Sequence, residues 1–199
     1  MRFFLVFFLS ALLLPSAFPG GLNAQEEPII FLVRHAERAD DSNASPGMAT
    51  DPHMAGDPPL SEAGGVRALL LAEMLKDAGI THIHSTDYRR TRETVEPTAE
   101  AGGLSIATYD ASDANAFASN LRSIPGRHLV VGHSNSTPDL VTALGGDPGP
   151  PIESLEYDRV YIVTFQGGEA RTVLLRFGEA FVGPESLAKS EGMAHVKGT

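Results

Sequence analysis

The stretch Pro28-Ile29-Ile30-Phe31-Leu32-Val33-Arg34-His35-Ala36-Glu37-Arg38 decides the reading of this chain. Residues 28–33 form a short apolar run rich in β-formers, as expected of a strand buried on both faces. The run ends abruptly in two arginines around a histidine, a sequence that packing alone does not call for. A buried parallel strand with charged chemistry at its carboxyl end points to an α/β sheet whose ligand sits beyond the strand ends.

The rest of the chain extends the same alternation. Ser61 caps a helix running to about residue 78, with Val66, Leu69, Leu70, Met74 and Leu75 read as its packed face, and Gly79 ends it. Residues 80–84 read as a second strand. A helix over 88–101 is expected to bend at Pro97. Residues 104–108 give a third strand, and Asp113 caps a helix through Leu121 and Ile124. A fourth strand covers 128–132, and a helix over 137–144 stops at Gly145-Gly146. A closing hairpin pairs 159–165 with 170–177 around Gln166-Gly167-Gly168. The expected fold is α/β, a mostly parallel central sheet with helices on both faces.

Composition narrows the function. The chain has 199 residues, no cysteine and a formal charge of −10. Cysteine chemistry, disulfides and Cys-ligated zinc are excluded, and the acidic balance argues against a nucleic-acid partner. Residues 1–24 read as a signal peptide, because the apolar run from Phe3 to Leu14 is shorter than the roughly 20 residues that span a bilayer. The expectation is an exported protein, periplasmic or secreted, with no stable membrane anchor after cleavage. Residues 25–178 form one domain and 179–199 an irregular tail. The Gly-, Pro- and Asp-rich loop over 39–59 is longer than packing requires.

Three polar clusters fall at corresponding strand ends. The first is Arg34-His35-Ala36-Glu37-Arg38. The second runs from Ser85 to Thr94 and puts Arg90 and Thr94 on one helical face. The third is Gly132-His133-Ser134-Asn135. Planar guanidinium forks match phosphate oxygens, and a neutral imidazole is a nucleophile.

Together these clusters resemble the histidine phosphatase superfamily, which includes phosphoglycerate mutases and histidine acid phosphatases. Arg34-His35-Ala36 stands for that family's Arg-His-Gly. Ser85, Arg90 and Thr94 match its Ser-x-x-x-x-Arg-x-x-x-Thr, and Gly132-His133 its late Gly-His. Residues 59–64, Pro-Leu-Ser-Glu-Ala-Gly, match its Pro-Leu-Thr-x-x-Gly. Arg38 sits where the acid phosphatase branch has a further arginine. The resemblance implies a phosphoglycerate mutase-like fold and hydrolysis of a small phosphorylated substrate, a phosphomonoester, through a phosphohistidine on His35. Arg34, Arg38, Arg90 and His133 would bind the phosphoryl group, with no cofactor and no metal. The family's acid after the late His, or in the third-strand region, has no direct counterpart. Asp110 is ranked first as proton donor, Glu37 second, and an acid-free mechanism with good leaving groups third.

Three other readings compete. Gly132-His133-Ser134-Asn135-Ser136 resembles a serine-hydrolase elbow with Ser134 as nucleophile. A non-catalytic phospholigand-binding module accounts for the missing acid. Asp51, His53 and Asp57 offer a weak metal set in the long loop. Oligomeric state is not legible.

Overall fold

The computed structural model describes residues 27–41 and 56–183. The leader, most of the 39–59 loop including Asp51 and His53, and the tail beyond residue 183, with His195, lie outside the described residues. None of the described helices is long and apolar enough to cross a membrane.

Six strands and four helices follow in the order β1 (Ile29–Arg34), α1 (Glu62–Leu75), β2 (His82–Ser85), α2 (Arg89–Gly102), β3 (Ile106–Thr108), α3 (Ala114–Ser123), β4 (Arg127–Gly132), α4 (Ser136–Ala143), β5 (Arg159–Gln166) and β6 (Glu169–Arg176). They make one sheet of spatial order β3-β2-β4-β1-β5-β6. The first four strands are parallel, while β5 and β6 run antiparallel. The tight β5–β6 turn uses Gly167 and Gly168, both at positive φ (61° and 87°), as a two-residue hairpin on a twisted sheet prefers.

Strand alternation splits the core between the two faces of the sheet. Phe31, Val33, Leu129 and Val131 join Leu71, Leu75, Val95 and Ala99 of α1 and α2. Ile30, Leu32 and Val130 join Leu121 of α3 and Leu140 and Val141 of α4. The expected α/β sheet with helices on both faces is thus what the chain builds.

The packed face of α1 is corrected. Val66, Leu69, Leu70 and Met74 are exposed, and the helix buries Gly64, Arg67, Ala68, Leu71 and Leu75. Hydrophobicity does not set this rotation. Ser61 Oγ caps the helix by accepting from Gly64 N, and a side chain at Gly64 would collide with the Glu37 carbonyl. Small residues therefore face the β1 exit loop, and Arg67 is drawn inward by Glu37. The Ser-x-x-Gly of residues 61–64 is a docking device for that loop.

Candidate active site

Parallel register builds the centre of the site. Arg34 lies opposite Gly132 across the β1–β4 ladder, so the next residue on each strand is a histidine. His35 N donates to Gly132 O at 2.9 Å, and the two imidazole centroids stand 5.4 Å apart. Gly132 has no room for a side chain, since a Cβ would meet Ser136 Oγ and Tyr109 Oη at 2.9 Å. The late Gly-His pair is therefore required by crowding at the β4 exit.

His35 is 3% exposed. Its Nδ1 lies 2.7 Å from Ala36 O. A carbonyl only accepts, so Nδ1 carries the proton and Nε2 keeps its lone pair. Burial, with repulsion from Arg34, Arg90 and His133, outweighs the Ala36 carbonyl and pulls the pKa down to about 2. The imidazole is neutral at physiological pH.

His133 is oriented from the other side. Arg90 Nη2 donates toward its Nδ1 at 3.4 Å, which leaves Nε2–H to donate to Thr86 Oγ1 at 3.0 Å. Thr86 Oγ1 in turn donates to Thr91 Oγ1 at 2.9 Å, and Thr91 Oγ1 donates to Tyr88 O at 2.7 Å. Burial first, then Arg90, Arg34 and Arg38, lowers the His133 pKa to about 4.

The spacing of the second cluster now has a physical reason. Thr94 Oγ1 donates to Arg90 O at 2.7 Å and accepts from Ala36 N at 3.0 Å. One turn of α2 thereby clamps the β1 exit loop and aims Arg90 at the site. Arg90 also stacks over Tyr88, 4.3 Å from the ring centroid. Arg34 is fixed by the segment before β5. Its Nη1 donates to Glu153 O and Glu156 O at 2.9 and 3.0 Å, and its guanidinium lies 4.0 Å from the Tyr157 ring centroid. The Tyr157 hydroxyl donates to Asp41 at 2.5 Å.

Three guanidinium nitrogens stay buried without a hydrogen-bond partner: Arg34 Nε, Arg90 Nε and Arg90 Nη1. They belong to residues that line a cavity of about 360 Å³ with His35, Arg38, His133 and Ser134. Buried donors left unpaired are costly, and here they belong to residues that line one cavity with a neutral imidazole. An anion with several acceptor oxygens satisfies them.

The fold thus brings Arg34, His35, Arg90 and His133 together, while the remaining candidates fare differently. Arg38 lines the cavity, but its Nε lies 3.0 Å from Asp40 and 3.3 Å from Asp41, so its charge is shared. Asp110 is corrected as proton donor. It is fully solvent-exposed, and hydrogen bonds from Ser112, the backbone amide first, lower its pKa, so it stays an anion. Glu37 accepts from Arg67 Nε through both carboxylate oxygens and is committed to that pair. Ser134 lines the cavity, yet the neighbouring His133 nitrogens are engaged by Thr86 and Arg90, leaving it no base there. Asp57, read from the sequence only as part of a weak metal set, instead joins the arginines of this site: it accepts from Arg89 N at 2.9 Å and lies 3.5 Å from Arg90 Nη1. Its only sequence signal was a carboxylate in a loop preceding α1, far from Arg90 in the chain. Tyr157 and the 153–156 carbonyls were missed by the sequence reading, because they carry no motif.

Residues 30–112 match the sequence profile of the histidine phosphatase superfamily (branch 1). Over 79 residues the chain is 38% identical to a protein of Yersinia enterocolitica named as a probable phosphoglycerate mutase, GpmB, covering 40% of this chain and 34% of that one. The chain therefore spans about a third of the length of the curated relatives it matches. Among solved structures, the protein histidine phosphatase SixA complexed with tungstate aligns with a TM-score of 0.55 at 19% identity, over 74% of this chain and 96% of that one. The mycobacterial glucosyl-3-phosphoglycerate phosphatase aligns with a TM-score of 0.55 at 15% identity, over 78% and 100%. The likeness carried by the first two motifs lies within the matched profile, the late Gly132-His133 pair falls beyond it, and the mixed α/β fold is shared with these solved phosphatases.

Proposed function

We propose that this chain, whose residues 30–112 match the profile of the branch 1 histidine phosphatases, hydrolyses a phosphomonoester through a phosphohistidine on His35. The observation that carries the reading is the set of unpaired buried donors on Arg34 and Arg90, which line one cavity with His35, whose Nε2 is free. In the first step Nε2 forms a bond to phosphorus as the bond to the leaving oxygen breaks, and the leaving oxygen takes its proton from solvent or from the substrate's own acid. In the second step water attacks phosphorus, inorganic phosphate departs, and Nε2 regains its lone pair.

Arg34 and Arg90 supply positive charge to the equatorial oxygens, where preorganised donors act most strongly. His133, held by Arg90 and Thr86, lines the same cavity beside His35. No step calls for a metal ion or a cofactor. We further propose that residues 1–24 direct export, which a sizing of the mature N-terminus after expression tests.

The experiment is a turnover and trapping measurement on the protein. Brief reaction with radiolabelled phosphodonor should label the wild type with an acid-labile, alkali-stable phosphate, and His35→Ala should not label. A folded His35→Ala protein that still turns over removes His35 as nucleophile. Loss of activity in EDTA, restored by a divalent ion, removes the metal-free mechanism.

A further inference from the structure

We infer that the leaving group of the substrate carries a positive charge and lies in the groove that runs from His133 past Tyr88 to Asp110. This rests on the phosphatase reading above. The groove, of about 610 Å³, shares Tyr88, His133 and Asn135 with the phosphoryl cavity, so the two are continuous. Its further walls include Asp87, Asp110 and Ser112, and none of its lining residues is a lysine or arginine.

The cations of the site face the phosphoryl group. Arg34 and Arg90 are 8% and 9% exposed, carry the unpaired nitrogens and line the smaller cavity. Transfer consumes those donors on phosphate oxygens. What remains in the groove is negative. Asp110 Oδ1 accepts from Ser112 N at 2.9 Å, which fixes the carboxylate without neutralising it, and among the described residues no arginine or lysine forms an ion pair with it. Asp87 is tempered by Arg92, whose Nη1 lies 3.9 Å away and also donates to Thr108 Oγ1 at 3.1 Å. Asp110 therefore dominates the charge of the groove.

Tyr88 adds an aromatic surface. It is 43% exposed, carries Arg90 on one side of its ring and meets His133 edge-on with a centroid separation of 5.0 Å. An ammonium or quaternary ammonium group is attracted to such a ring and to a carboxylate together. A carboxylate-bearing leaving group meets Asp110 and Asp87 instead. At about 6 Å in a largely aqueous setting, one such charge changes binding by about three- to ten-fold. The other cavity beside the site, near Leu155 and Phe181, shares only Arg38 with the phosphoryl cavity.

The test is steady-state kinetics on a size-matched set: phosphocholine and phosphoethanolamine as cationic substrates, ethyl phosphate as neutral, phosphoglycolate as anionic, and p-nitrophenyl phosphate as a reactive reference. The expected order of kcat/KM is cationic over neutral over anionic, with the cationic-to-anionic ratio about 10 to 100. Asp110→Asn should shrink that ratio by about ten-fold or more, since it acts on the cationic and the anionic substrate in opposite directions, and added salt should shrink it in the wild type. Turnover of p-nitrophenyl phosphate without a cationic preference, or a preference that Asp110→Asn leaves intact, overturns this inference alone. Absence of turnover on every substrate overturns the phosphatase reading and this inference with it.

Discussion

Arg67 Nη2 lies 2.7 Å from Glu37 Oε1, and Arg67 Nε reaches both oxygens of the same carboxylate. This fork joins the inward face of α1 to the loop that carries His35. Arg67 also donates to Phe177 O and Glu179 O, tying the chain after β6 to the same point.

Removing half of that pair should cost stability. Arg67 is buried and Glu37 is about one-fifth exposed, so a lone charge would be left partly desolvated. Arg67→Ala should lower stability by about 3 kcal/mol, read as a fall in Tm of about 6–12 °C. Glu37→Gln should also lower Tm. If either variant melts with the wild type, the fork is a surface pair of little worth.

Leaving-group series separate an acid from a bystander. A true general acid, when removed, slows alkyl phosphates far more than p-nitrophenyl phosphate. Glu37→Gln and Asp110→Asn should each change ethyl phosphate and p-nitrophenyl phosphate by the same factor, because one carboxylate is held by Arg67 and the other stays ionised in solvent. A selective loss on ethyl phosphate in either variant would return that residue to the role of proton donor.

The guanidinium groups should divide unequally in their effects. Arg34→Ala and Arg90→Ala each remove buried donors aimed at the cavity and should cost about 10²–10³ in kcat, the scale of a lost oxyanion donor. Arg38 shares its charge with Asp40 and Asp41, so Arg38→Ala should cost about ten-fold or less. Equal losses at Arg38 and Arg34 would show that the aspartates release Arg38 when substrate binds.

A second histidine group should add to the acid sensitivity that buried, neutral His35 and His133 confer. His128 Nε2 donates to Ile124 O at 2.9 Å, which leaves its Nδ1 to accept from His84 Nε2 at 3.1 Å. Both rings are then neutral. Burial, then His128 and His82, lowers the His84 pKa to about 4 from an ordinary 6.5. The unfolded chain therefore binds more protons than the folded one below pH 6.5. The stability from this group is complete above that value and is lost as pH falls toward 4, on the order of 2–3 kcal/mol. Thermal melts from pH 7.5 to 4 should show the decline, and His84→Gln should make it shallower whatever its own Tm. An unchanged slope in His84→Gln removes His84 as its source.

The alternation of strands and helices, the mostly parallel sheet and the three polar clusters were legible in the residues themselves. Local rules govern them: apolar runs bounded by Gly, caps at Ser61 and Asp113, and motifs whose spacing equals a helical turn, as with Arg90 and Thr94. The rotation of α1 was not legible. Its apolar residues outnumber the buried positions, and the choice fell to the fit of Gly64 against Glu37 and the pull of that carboxylate on Arg67, partners 27 and 30 residues away in the chain. The same holds for the site. Sequence named His35 and His133, but the pairing of Arg34 with Gly132 across β1 and β4 sets them side by side. The Ala36 carbonyl selects which nitrogen of His35 is free. Asp57 and Tyr157 reach Arg90 and Arg34 through folding alone. Protonation and charge balance depend on what burial removes from water and which distant groups replace it, and those quantities exist only once the chain has folded.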